Sequence, residues 1–150
     1  MELKKSDKLI LRELRKNSRE KLTKIAKRTG VALSTVFDRV NILKKELQLR
    51  NTALMDFGKL NYGVKAHIVV GVEKTQRILL RKYFIENKQT NNLYKINNGF
   101  DFLVELIFKD IKEYEDFLEE LKKAFKITKF ETHIIVKDII RERFFTKEVE

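Results

Sequence analysis

Cysteine and proline are both absent from the 150-residue chain. The first absence excludes disulfides and thiolate metal centres. The second removes the residue that most reliably breaks helices and strands, so periodic stretches can be followed to their ends. Long apolar runs are missing too, and none approaches the roughly 18–20 residues needed to cross a bilayer. The opening segment, MELKKSDKLI, is charged and lacks the apolar centre of an export signal, which predicts a cytoplasmic protein with no membrane attachment. No nucleophile motif, glycine-rich phosphate loop or metal-spaced cluster appears, so no cofactor or metal is expected.

What is present is a chain able to fold. Hydrophobic residues make up 43% of it, enough for one compact domain or two small ones. The net charge of +11 is unevenly spread. Residues 1–50 carry 15 Lys/Arg against 6 Asp/Glu, whereas residues 51–150 carry 18 against 16. A basic head on a near-neutral body fits a polyanion-binding domain joined to a regulatory or assembly domain.

The head reads as three helices. Residues 6–17 form the first, with Ser6 as its cap, Asp7 in its first turn and Ile10, Leu11 and Leu14 on one face. The second covers about 21–28 and ends at Gly30, which suits a left-handed helix exit. The third covers about 32–47, with Val36, Val40, Leu43 and Leu47 as its core stripe. Two short helices joined at a glycine, with basic flanks, are the sequence form of a helix-turn-helix, whose second helix enters the DNA major groove. The face opposite the stripe carries Leu33, Ser34, Phe37, Asp38, Asn41 and Lys45. Ser34, Asp38 and Asn41 are candidates for base contacts, because base edges are read by hydrogen bonding. Asp38 could equally pair with Lys45. Phe37 either meets thymine methyls or packs on the second helix, with packing the preferred expectation. Ser18, Arg19, Lys21, Arg39, Lys44 and Arg50 are candidates for phosphate contacts. Residues 47–55 alternate weakly and predict a short strand in a wing or linker, and the domain boundary falls near 56–63.

The second half alternates strand and helix rhythms. Strands are expected at 64–73, 93–96, 100–109 and 127–136, with helices at 75–87 and 110–125. Asp110 caps the second of these helices, whose stripe is Ile111, Tyr114, Leu118, Leu121 and Phe125. The order βαββαβ predicts a ferredoxin-like split sandwich with both helices on one sheet face. The fold class is therefore α+β, with a winged helix-turn-helix at 1–55 and a βαββαβ domain at 64–150. The free sheet face would show His67, Glu105 and His133 among apolar residues, which fits a homodimer interface. A metal or proton-transfer role for that His/Glu group is the weaker reading. The tail from 137 carries Ile139, Ile140, Phe144 and Phe145 and should dock on the body or on a partner.

Asp7-Lys8-Leu9-Ile10-Leu11-x-x-Leu14, Asn17-Ser18-Arg19, Ile25-Ala26 before Gly30, and Ser34-Thr35-Val36-x-x-Arg39-Val40-x-x-Leu43 are spaced as in one known family. Asp56 to Gly58 and Phe100-Asp101 continue the match. The chain resembles the Lrp/AsnC, or feast/famine, transcription regulators over residues 6 to about 136. The resemblance implies a DNA-binding head on a RAM-type domain that dimerises, often reaches an octamer, and binds small effectors, commonly amino acids. Asn98, Gly99, Phe100 and Asp101 match the family's Gly-x-Tyr/Phe-Asp effector loop, with Asn98 standing for glycine. Ala32 stands where the family has a capping Ser, and Leu47 where it has glycine.

The expected function is thus a sequence-specific transcription regulator, not an enzyme, whose partners are double-stranded DNA, a second copy of the chain and an amino-acid effector. Two alternatives remain open. One is a siroheme-decarboxylase-like enzyme of the same architecture, which would need His67 or His133 in its pocket. The other is an architectural protein that coats DNA without sequence preference.

Overall fold

The computed structural model describes residues 2–147. The chain folds as two compact units. The first comprises residues 1–54 together with the segment from Ile139 onward, and the second runs from Met55 to Asp138. The tail therefore joins the head, although the sequence had placed it with the second domain. Its anchor is Phe145, packed against the head's core.

Three helices build the head: α1 (Lys5–Lys16), α2 (Leu22–Thr29) and α3 (Leu33–Glu46). Ile10, Ile25, Val36 and Leu43 are wholly removed from solvent, each contributing about 1.5–3 kcal/mol of apolar burial. Gly30 sits at φ 69°, the left-handed exit that its position requires. The expected cap of α1 is displaced. Lys4, not Ser6, precedes the helix, and Asp7 reaches back to accept the Lys4 amide at 2.9 Å. Ala32 starts α3 without a side-chain cap.

The stripe of α3 is shorter than expected. Val36, Val40 and Leu43 are buried, but Leu47 ends the helix and is 40% exposed. The left-handed residue that turns the chain out of the helix is Gln48, at φ 47°. No strand forms over 47–55, so the expected wing strand is corrected to irregular chain. Strand pairing needs an edge with free hydrogen-bonding groups, and the all-helical head has none.

The second unit is a four-stranded sheet in the order β2-β3-β1-β4, with β1 at Val64–Val72, β2 at Thr90–Lys95, β3 at Phe102–Phe108 and β4 at Ile127–Ile134. All three pairings are antiparallel. Helices α4 (Arg77–Glu86) and α5 (Ile111–Ala124) cover one face. The alternation in β1 and β3 turns Ala66, Ile68, Val70, Val104, Leu106 and Phe108 inward, where they meet Leu80, Phe84, Tyr114, Phe117 and Leu121. This is the βαββαβ sandwich expected from the pattern. Within α5 the stripe is rotated. Phe117 is buried and Ile111 is 46% exposed, while Asp110 caps the helix as expected by accepting the Glu113 amide at 2.8 Å.

The uncovered face places His67 opposite both Glu105 and His133. His67 Nε2 lies 2.9 Å from Glu105 Oε2, while His133 is mostly exposed. Among the described residues no group of three or more His, Asp or Glu side chains is arranged to hold a metal. No helix among them is long and apolar enough to cross a membrane.

Candidate nucleic-acid interface

The outer face of α3 is open over its whole length. Leu33, Ser34, Phe37, Asp38, Asn41, Lys44 and Lys45 are all exposed. Phe37 is 56% exposed, which corrects the expectation that it packs on α2. The inner face of α3 is already filled by Val36, Val40 and Leu43, one helical turn apart, and leaves Phe37 no room to turn inward. An aromatic ring held in water on a helix of this kind is available for apolar contact with a partner. Asp38 has no ion-pair partner among the described residues, so its carboxylate can accept hydrogen bonds.

Arg39 differs from every other cation in the group. Its Nε and Nη2 donate to the two carboxylate oxygens of Asp7 at 2.6 and 2.7 Å. Asp7 is fully buried, and the Arg39 side chain is only 20% exposed. The Arg39 guanidinium holds the Asp7 carboxyl below its usual value, and the Lys4 amide adds to this against the cost of burial. Nε and Nη2 of Arg39, expected from the sequence to meet phosphate, are thus engaged with Asp7. A bidentate fork committed to a buried carboxylate ties α3 to α1 and sets how the reading helix is carried. Asp7 was visible in the sequence only as a first-turn residue. Nothing local pointed to a partner 32 positions away.

The remaining cations are free to act. Arg19, Lys21, Lys44, Lys45 and Arg50 are exposed and have no ion-pair partner among the described residues. Ser18 and Arg19 lie in the turn before α2, and Lys21 is the residue that leads into it. Some of the other basic residues of the region are taken up internally. Arg28 bridges Glu13 and Glu20 at 3.1 and 2.9 Å, and Lys16 pairs with Glu13 at 2.7 Å. The structure thus separates cations that hold the head together from cations that face outward.

In the second unit the loop Asn98–Asp101 lies over the end of β1. Asn98 and Gly99 both adopt left-handed backbone, at φ 63° and 83°. The loop approaches Gly71 so closely that a Cβ there would lie 3.2 Å from the Gly99 carbonyl. Asp101 accepts the Val72 amide at 2.9 Å and pairs with Arg77 Nε at 2.6 Å. Lys129 stands 5.5 Å from the Phe100 ring centre, and a shallow pocket opens between Asn98, Phe100, Lys129, Phe130 and Glu131. Arg77 and Lys129 were not among the residues singled out from sequence, because neither belongs to a local motif.

Residues 3–46 match the family model for a winged helix-turn-helix DNA-binding domain. Residues 70–144 match the Lrp/AsnC ligand binding domain. The chain belongs to the Lrp/AsnC family of transcriptional regulators. An uncharacterized HTH-type transcriptional regulator of Pyrococcus horikoshii is 31% identical over 137 residues, covering 90% of this chain and 87% of the relative. Another from Pyrococcus abyssi is 28% identical over 123 residues, or 79% of each chain. Among solved structures, a Neisseria meningitidis transcriptional regulator in complex with L-methionine is similar, with a TM-score of 0.84 at 20% identity, covering 93% of this chain and 94% of that one. LrpC of B. subtilis gives 0.82 at 20% identity, covering 93% and 99%. As an Lrp/AsnC protein the chain is a transcriptional regulator that pairs a helix-turn-helix with a ligand-binding domain. The Asn98–Asp101 loop falls inside the stretch that matches the latter.

Proposed function

We propose that this regulator binds DNA sequence-specifically as a homodimer, or an octamer built from dimers, and that an amino acid bound at the Asn98–Asp101 loop modulates it. The observation that carries the reading is the division of labour on α3. Its inner face and Arg39 are committed to the head, while Ser34, Phe37, Asp38 and Asn41 are exposed together on the other side. Asn41 suits adenine, Asp38 suits the cytosine amino group, and Phe37 with Leu33 suits thymine methyls. Ser18, Arg19, Lys21, Lys44, Lys45 and Arg50 then supply phosphate contacts, which position the head without reading sequence.

The half-buried sheet face around His67 and Glu105 supports self-association, because it is too apolar for open water. A two-fold dimer presents two copies of α3, so the site is a pseudopalindrome with half-sites about one helical turn apart. No catalytic step is part of this reading.

Selection of binding sites from random duplex DNA, with and without an amino-acid mixture, tests it. A palindromic consensus is the expected result, with a shift in affinity in one arm. Equal affinity for all duplexes at physiological salt would overturn specificity, and an unchanged consensus and affinity would remove the effector.

A further inference from the structure

The head contains a cavity of about 340 Å³ whose edge carries three of the proposed phosphate contacts, Ser18, Lys44 and Arg50. Its apolar wall is formed by Leu11 and Leu14 of α1 and by Leu49 and Leu54 from the irregular chain after α3. Leu49 and Leu54 are 37% and 56% exposed, a large apolar surface for two neighbouring residues to leave in water. The tail closes another side through Glu142.

The charges around this cavity are not equivalent. Arg15 is spoken for: its Nη2 donates to the Glu142 carbonyl at 2.9 Å and to the Glu142 carboxylate at 3.1 Å, and its Nε donates to the Phe144 carbonyl at 3.1 Å. Lys16 is held by Glu13. Lys44 and Arg50 also line the cavity and have no partner among the described residues. An apolar floor with two unpaired cations at its edge is complementary to a molecule with an apolar body and one anionic end. The volume lies at the small end of the range for ligand pockets. That limits the occupant to a compact molecule.

We infer that the head binds a small apolar carboxylate, an acyl or aryl acid, with its body on Leu11, Leu14, Leu49 and Leu54 and its carboxylate between Lys44 and Arg50. This site is separate from the Asn98–Asp101 loop and lies in the other unit. Its regulatory consequence rests on the proposed phosphate contacts of Lys44 and Arg50. A carboxylate on those two cations displaces phosphate from them, so ligand and DNA compete directly. Losing two phosphate contacts lowers DNA affinity by about tenfold or more at physiological salt.

Decanoate serves as the probe, with decanol and decylammonium as controls. The full chain labelled with 15N is titrated with each, and amide shifts are followed. The expected result is saturable movement of the Leu14, Ser18, Lys44 and Arg50 amides by decanoate alone. Leu54→Ser alters an exposed residue, so the fold is kept, and it weakens decanoate about tenfold. Lys44→Gln with Arg50→Gln abolishes the preference for decanoate over decanol. Equal binding of decanol, shifts confined to the second unit, or no saturation would overturn the site. So would protection of Leu49 and Leu54 by a second copy of the chain in the ligand-free protein. DNA affinity is measured on each variant with and without decanoate. Saturable binding without loss of DNA affinity overturns the competition, and absence of DNA binding in the untreated protein marks failure of the function rather than of the site.

Discussion

Replacing Arg39 with alanine isolates the bond between α3 and α1. The Asp7 carboxylate is fully buried and has three donors: two from Arg39 and the Lys4 amide. Truncation removes two and leaves a buried charge without its ion-pair partner, which typically costs about 3–5 kcal/mol. The head is a unit of 66 residues (1–54 and 139–150), for which total stability of about 3–10 kcal/mol is usual. Arg39→Ala is therefore expected to remove much of the head's stability while leaving the second unit alone. The two can be followed separately. All four tyrosines (62, 83, 94 and 114) lie in the second unit, so tyrosine fluorescence reports that unit only, whereas helical circular dichroism reports both. Urea unfolding of Arg39→Ala should show an early helical transition with the tyrosine transition unmoved. Adding Asp7→Asn removes the stranded charge and should recover about 2 kcal/mol of the loss. A loss below about 1 kcal/mol in the single variant, or no recovery in the double, would refute the assignment of Arg39 to the head's interior.

Acid should weaken the head through Asp7. The Asp7 carboxyl is held below its ordinary value of 3.8, so its contribution is complete above that pH and is lost as the pH falls below it towards the folded value. Helical circular dichroism against pH checks this, and Asp7→Asn should flatten the decline. Asp110→Ala removes the oxygen that accepts the Glu113 amide at the start of α5 and should cost the second unit about 1 kcal/mol in urea unfolding. Phe37→Ala changes an exposed side chain, so stability should move by no more than about 0.5 kcal/mol. Affinity for the selected DNA should fall while affinity for random duplex holds, and the difference is read by competition binding.

Much of the fold was legible because its signals are local. The alternation in β1 and β3 and the Asp110 cap on α5 needed only a few consecutive residues. Gly30 marked the helix exit for the same reason. The failures are long-range or depend on an edge. A weak alternation over 47–55 looks like a strand, but a strand exists only where another strand receives it. The pairing of Asp7 with Arg39 spans 32 positions and follows from how three helices pack, which no short motif records. Its effect on the site was large, because it engaged Arg39, one of the DNA candidates, inside the head.

The tail's place in the head also fixes an order of events during synthesis. Arg15 and Phe144 are 129 positions apart, and the whole sheet unit lies between them. When residues 1–54 emerge, α1, α2 and α3 can collapse on Ile10, Ile25 and Val36, but the position that Phe145 covers stays open. It closes only after β4 has been made. A growing chain therefore passes through a stage in which the three head helices are made and the head is not yet sealed. Substitutions at Phe145 should show as slower acquisition of DNA binding by newly made protein before they show as lower stability of the mature one.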